Sequence, residues 1–463
     1  MCSRACRFAI AIATFATCLT KAPSGHAADW PAWRGPAGNG VVTEDARFPS
    51  HWGAQTNVRW RTPLPDRGNS TPIVVGDRVF VTQAIEKENR RTLMCFARGD
   101  GRLLWQSGVT STSPEPTNGQ NPYCSASPVT DGRRVIAYFG SPGLFCYDVE
   151  SGRELWNLPL GEVDSWQGSG ASPVICGNVC IVNASPGTNA TLVACDLEFG
   201  KVDWKVTPPR PPGGGARKPG KAPPAPPPKP PVGKFADAMM AADPTGAGGY
   251  LGSWSTPVVV RVGDRDHLIA VHPLQVSAYE PATGREIWTF KGLAEQAFAS
   301  PAVQGDVLVV LGRPQAGGGT RATAIRLDAA ATGDVTTTHR LWDVKLPKEC
   351  VGSPISAGEH VYLVTTFGSV ICLDLATGKK VNERRLSGTG SLGGSWSSIV
   401  LAGDKLLVPN QSGEVFVIKA TPELEILATN TAQDEITCAS PVICDEAVFL
   451  RTYKSLWCFD GKR

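Results

Sequence analysis

Two phrases of this chain, Gly252-Ser253-Trp254-Ser255 and Gly394-Ser395-Trp396-Ser397, are near-identical, and Trp166-Gln167-Gly168-Ser169 is a looser third copy. A tryptophan set among small hydroxyl residues can stack on a flat ligand or anchor a peptide; with no ligand it can plug a channel or pack between sheets. Asp164, Glu295 and Arg313 are the polar candidates that register places beside these phrases. The sequence holds no HExxH, no paired CxxC and no CxxCH, and its six histidines are scattered, so neither a metal site nor a c-type haem is expected.

What positions these phrases is a repeat. A Ser/Thr-Pro step running into an apolar strand occurs at Thr71-Pro72, Ser127-Pro128, Ser172-Pro173, Thr256-Pro257, Ser300-Pro301, Ser353-Pro354 and Ser440-Pro441, with a Pro-less copy at Ser397-Ser398. Counted from the Pro, or from Ser398, the intervals are 56, 45, 84, 44, 53, 44 and 43 residues. A four-stranded propeller blade takes about 40–45 residues, so eight blades are predicted, the longer intervals holding insertions.

A second landmark follows each Pro by about 20 to 30 residues. Asp100-Gly101…Trp105, Asp148…Gly152…Trp156, Asp196…Gly200…Trp204 and Glu280…Gly284…Trp288 all place Trp four residues after Gly. Asp and Gly suit a tight turn, Gly supplying positive φ, and the Trp is expected to bury its ring against the next blade. Blade 5 keeps Trp342 after a longer turn (329–339), blade 6 has Asn382 at the Trp position, and blade 7 has Pro422 and no Trp. The chain stops after Asp460-Gly461-Lys462-Arg463, whereas Asn57-Val58-Arg59-Trp60-Arg61 reads as an outer strand with no blade in front of it. With Arg59 placed after Arg463, Trp60 falls four residues beyond Gly461, so this N-terminal strand is expected to complete blade 8 and leave no open edge.

The expected organisation is a signal peptide over 1–28, an N-terminal extension over 29–56 and an all-β propeller over 57–463, interrupted at 207–249. The start has basic Arg4 and Arg7, an apolar stretch from Phe8 to Leu19, and Ala27-Ala28 before Asp29, the order of a secretory signal. Phe15-Ala16-Thr17-Cys18 loosely resembles a lipobox, the alternative being a lipid anchor at Cys18. Removing 1–28 takes away Arg4, Arg7 and Lys21 and no acid, leaving 42 basic and 42 acidic residues from 45 and 42. No nucleic-acid function is suggested by that balance. The body of the chain has no 18-residue apolar run, and the whole sequence has 50 Gly and 38 Pro, as a turn-rich β protein requires. Pro208 to Pro231 is dominated by Pro, Gly, Lys and Arg, a composition for exposed polyproline II or disorder, read as a tolerated insertion or a tether.

Eleven cysteines follow the signal. Cys95, Cys146, Cys195, Cys372 and Cys458 share one repeat position ahead of the turn, and Cys176 and Cys444 share another, which marks them as small apolar packing residues. Cys124, Cys350 and Cys438 precede Ser-Pro steps in blades 2, 6 and 8.

The pattern strand–Asp-x-x-x-Gly-Lys/Arg-x-x-Trp, from Trp60 to Arg463, resembles the pyrroloquinoline-quinone (PQQ) repeat, and Asp29-Trp30-Pro31-Ala32-Trp33-Arg34-Gly35-Pro36 resembles the start of secreted PQQ-like propellers. The resemblance implies one of two activities. Quinoprotein dehydrogenases of this kind bind PQQ and calcium and oxidise alcohols or sugars; proteins similar to the outer-membrane assembly factor BamB keep the scaffold without cofactor and bind protein partners. The chain has no adjacent Cys-Cys pair of the sort many of those dehydrogenases carry, and no stretch matches their calcium ligands or catalytic Asp. The expectation is therefore a periplasmic or secreted, BamB-like binding or scaffolding module with no cofactor and protein partners in the envelope. The alternatives are a PQQ- and calcium-dependent alcohol or sugar dehydrogenase and a carbohydrate-binding propeller.

Overall fold

The computed structural model describes residues 29–42, 47–112, 115–165, 167–187, 190–208, 252–314, 318–433 and 435–461. The expected signal segment, Cys18, Trp166 and nearly all of the Pro-rich insertion lie outside these residues.

Short apolar strands joined by Gly-containing turns hydrogen-bond to their neighbours in sequence and build eight four-stranded antiparallel sheets. Blade 1 is Ile73–Val75, Arg78–Ile85, Arg90–Ala97 and Leu103–Thr110, from the axis outward. Blades 2 to 7 follow at 129–158, 174–206, 258–291, 302–346, 355–385 and 400–431. Blade 8 combines Val442–Cys444, Ala447–Arg451 and Ser455–Asp460 with the N-terminal strand Val58–Pro63. The expected closure is therefore present. Its register differs in one detail: the Asp460 amide donates to the Asn57 carbonyl as the Asp148 amide does to Arg153, so Asp460 is the acidic turn position and Gly461 is not the turn glycine of the other blades.

The hydrophobic core lies between blades. Middle strands such as Glu414–Lys419 are buried on both faces because each sheet is sandwiched, and the resulting clusters join neighbouring blades, as when Ile269, Ala278 and Trp288 pack against Leu308 and Ile325. The blade tryptophans fasten these layers. Trp60, Trp105, Trp156, Trp204 and Trp342 donate their indole N–H to a carbonyl in the turn of the following blade, at 2.8–3.1 Å, through Arg98, Val149, Leu197, Pro281 and Leu375. Each ring covers that blade's turn glycine so closely that a Cβ on Gly101, Gly152, Gly200, Gly284 or Gly378 would lie 2.5–2.7 Å from it. The glycine is required twice, by its positive φ and by the ring above it.

Three exceptions have physical explanations. Asn382 donates Nδ2–H to the Pro422 carbonyl at 2.8 Å, the same bond made by a smaller side chain. In blade 5 the long turn lays Gly333–Asp334 parallel to Trp288–Thr289, and the buried Trp288 indole nitrogen is left without a partner. In blade 7 the outer strand carries Ala428 opposite Val417, where every other blade but blade 6 carries a Trp. There Trp52 supplies an aromatic ring from outside the repeat: it stacks on Phe459 of blade 8 at 5.5 Å, and its backbone amide is held by Asn430 Oδ1 at 2.8 Å.

Candidate functional site: the channel and its two mouths

The Ser/Thr of each Ser/Thr-Pro step sits where the chain enters an innermost strand, and these eight hydroxyl residues form a closed girdle. The amides of Thr71, Ser127 and Ser172 donate to the hydroxyls of Ser127, Ser172 and Thr256, and those of Ser300, Ser353 and Ser398 to Ser353, Ser398 and Ser440, all at 2.8–3.0 Å. Between blades 4 and 5 the polarity reverses, the Ser300 hydroxyl donating to the Thr256 carbonyl at 2.8 Å. Ser440 completes the circle by donating its amide to Thr71 Oγ1 at 3.0 Å. The girdle also corrects the count at blade 7: Ser398 occupies the Ser position, 45 residues from Ser353 and 42 from Ser440, and Ile399 stands in place of Pro.

At the far ends of the innermost strands the N-terminal segment crosses the axis. Trp30 pairs with Val74 of blade 1, the Pro31 carbonyl accepts from the Thr130 amide of blade 2, and Val41–Val42 runs parallel to Leu401–Ala402 of blade 7. Arg34 lies in between and reaches blade 6, which stands opposite blade 2 in an eight-membered ring, donating Nη2–H to the Pro354 carbonyl at 2.9 Å. Its guanidinium is fully buried with no carboxylate on it, and burial alone pulls it down to about 9. This mouth is occupied by the chain itself.

The entry loops converge on the other mouth. Ser253 is buried, donates Oγ–H to the Val271 carbonyl at 2.6 Å and accepts from Asn183 Nδ2 at 3.1 Å. Ser395 is also buried and donates to the Pro409 carbonyl at 2.7 Å, so the two near-identical phrases make the same latch onto the second strand of their own blades. Their tryptophans differ. Trp254 stacks on Phe298 at 4.8 Å and 16°, gives its indole N–H to the Gly168 carbonyl at 2.9 Å, and is 9% exposed. Trp396 is half-buried.

The polar candidates do not converge. Arg313 is paired with Glu349 at 2.7 Å and with Gln296 Oε1 at 3.0 Å, and Glu295 lies near Arg321, whose guanidinium is held in the charged form first by its hydrogen bond to Asp343 and only last by Glu295. Asp164 sits in the loop entering blade 3, against Gly187.

Sequence reasoning missed three buried carboxylates on this face. Glu435 accepts from Arg61, the Thr452 hydroxyl and Trp457 Nε1, the last at 3.3 Å. Glu414 accepts from Asn410 Nδ2 at 2.6 Å and from the Thr389 and Gly390 amides at 2.7 and 3.2 Å. Glu115 accepts from the Ser141 amide at 2.9 Å and the Ser169 hydroxyl at 3.5 Å, and burial raises it above the usual carboxylate range. An acid heading the apolar strand Glu414-Val415-Phe416-Val417-Ile418 is a readable signal; Glu115 and Glu435 sit in loops and carry none. All three fasten loops to blade edges.

A shallow cleft of about 340 Å³ between turns of blades 4 and 5, lined by Arg261, Gly263, Asp306, Arg326 and Asp328, shares no residue with either set.

An eight-bladed propeller with one self-occupied mouth defines the structural class. The chain belongs to the PQQ-like repeat family whose model is described as outer membrane protein assembly factor BamB, which matches residues 41–218 and 272–463. Among solved structures, BamB from Moraxella catarrhalis aligns with a TM-score of 0.55 at 15% identity, covering 86% of this chain and 98% of that one. A europium-containing methanol dehydrogenase aligns with a TM-score of 0.60 at 11% identity, covering 91% and 89%. At such identities the likeness is one of fold. A polyvinylalcohol dehydrogenase of Sphingopyxis sp. (strain 113P3) is 24% identical over 203 residues, 39% of this chain and 28% of that protein's length.

The family raises the question of PQQ with calcium, and the donor set of the described residues can be compared with what the ion takes. Calcium takes about six to eight oxygen ligands, several from carboxylates with free lone pairs. Glu115, Glu414 and Glu435 are instead held apart by hydrogen-bond donors of the chain, and no three His, Cys, Asp or Glu side chains among the described residues are grouped to hold a metal. These residues do not fit the ion.

Proposed function

We propose that this chain is a non-catalytic, exported propeller that acts as a binding or scaffolding platform for protein partners in the envelope. The observation that carries the reading is the employment of the mouth's buried carboxylates and of Trp254 as internal fasteners, which leaves rigid loops and blade surfaces to offer. The family match supports the same reading. Among the described residues no helix is long and apolar enough to cross a membrane.

A second reading, PQQ-dependent oxidation of an alcohol, is favoured by the partial likeness to the polyvinylalcohol dehydrogenase. Titration of the purified chain with PQQ and Ca²⁺, followed by tryptophan fluorescence and then by dye-linked alcohol and sugar oxidation, separates the two. The platform reading expects no saturable binding and no turnover; saturable binding with turnover would overturn it.

A further inference from the structure

Cys180 shares no repeat position with any other cysteine that follows residue 28. It lies in the second strand of blade 3, Val179–Ala184, directly opposite Cys195 in the third strand, Thr191–Asp196. Cys195 is itself out of step: it stands one residue ahead of the acidic turn position Asp196, whereas Cys146, Cys372 and Cys458 stand two ahead of Asp148, Asp374 and Asp460. Since side chains alternate along a strand, that single step turns Cys195 to the opposite face of its sheet. Directly opposed residues share a face, so Cys180 turns the same way. Both are fully buried at the interface with blade 2, in a cluster that also contains Cys146 and Trp156.

We propose that Cys180 and Cys195 are a redox pair that closes into a cross-strand disulfide bracing blade 3 when the chain folds in an oxidising compartment. Opposed residues of an antiparallel pair carry Cβ atoms about 4.5–5.5 Å apart. A disulfide takes a Cβ separation of about 3.5–4.5 Å and a Cα separation of about 4.4–6.8 Å, so closure asks for a shift of about 1 Å. Burial favours the protonated thiol, and Cys180 is pushed well above the usual thiol range, first by its hydrogen bond to Cys195 and then by burial. Exchange therefore belongs to the open hairpin, before blade 2 seats against it. One thiol loses its proton to solvent and its thiolate attacks a sulfur of a small-molecule disulfide, expelling a thiolate. The second, deprotonated in turn, displaces the other thiolate and forms the S–S bond. The pair is oxidised by two electrons, and the small disulfide is reduced to two thiols.

The test is a peptide map of the chain produced with an export signal in the oxidising periplasm of an expression host, then denatured without reductant in the presence of an alkylating agent. The expected result is a linked Cys180–Cys195 peptide, with the other nine of the eleven cysteines alkylated. The link persists in Cys146→Ala and is lost in Cys180→Ala, where Cys195 becomes alkylated. Full alkylation of Cys180 and Cys195 in the parent chain, or a link from either to Cys146, overturns the proposal. Because the map is read on the parent chain, a variant that fails to fold leaves the conclusion intact.

Discussion

The Ser440 amide donates to the Thr71 hydroxyl at 3.0 Å across 369 residues of sequence, joining the last blade to the first by the bond that joins most neighbouring blades. Both residues are buried, so the amide has no water to fall back on. Thr71→Val keeps shape and removes the acceptor. A buried donor left unsatisfied costs about 1–3 kcal/mol. Urea unfolding is expected to show that loss for Thr71→Val and little change for Thr71→Ser; an unchanged midpoint for the Val variant would mean the seam does not depend on the girdle.

Trp52 holds the seam from outside the repeat. Truncating a buried tryptophan costs about 3–5 kcal/mol, and Trp52→Ala is expected to do so while speeding amide exchange in Ile426–Thr431 and Ser455–Asp460, the strands it bridges. Trp52→Phe should be mild, because the indole nitrogen has no partner to lose. Equal damage from both would show that shape at this point matters more than burial.

His272 is buried beside the Tyr279 hydroxyl at 3.2 Å, and burial lowers it from 6.5 to about 4. The folded state thus resists protonation that the unfolded chain accepts below its ordinary value. Stability is complete above about pH 6.5 and falls as pH drops toward about 4, by about 3 kcal/mol in all. His272→Gln should flatten thermal stability across that window, and a slope unchanged in the variant would assign the acid sensitivity elsewhere.

Glu115 carries the opposite sign. Its raised folded-state value means that the charged form is tolerated less well in the fold than in the unfolded chain, so the cost appears as pH rises through the carboxylate range and persists above it. Glu115→Gln keeps an acceptor for the Ser141 amide, and at neutral pH the variant is expected to melt higher than the parent, the two converging in acid. A variant less stable at every pH would show that the Ser141 contact needs the charge.

The fold was legible because its repeat is written in residues with fixed geometric jobs: Ser/Thr at the girdle, Gly under Trp at the turn, and a strand at each end of the chain that make one blade together. Two register errors arose where such a residue is missing, at Ile399 in place of Pro and at Asp460, whose turn is completed by residues from the other end of the chain; a third set Cys195 in step with Cys146, although it stands one residue nearer its turn. Trp52, the strap from Trp30 to Val42, and Glu115 and Glu435 lie outside any period, and their partners are far away in sequence, so no local pattern could announce them. Ser253 and Ser395 were found by their repetition, which reflects a shared latch; the same repetition could not reveal that Trp254 would meet Phe298 in a different loop.

Val58–Pro63 pairs with Ser455–Asp460, with Trp60 opposite Cys458. As the chain emerges from a ribosome or a translocation pore, that early strand must wait, unpaired, until Ser455–Asp460 has been delivered. Closure of so long a loop is entropically slow. Seven blades can stack in the order they are made, but the eighth waits for a partner strand about 390 residues further on, roughly the whole span of the ring, and an exposed early strand is the stage at which a chaperone would have most to protect.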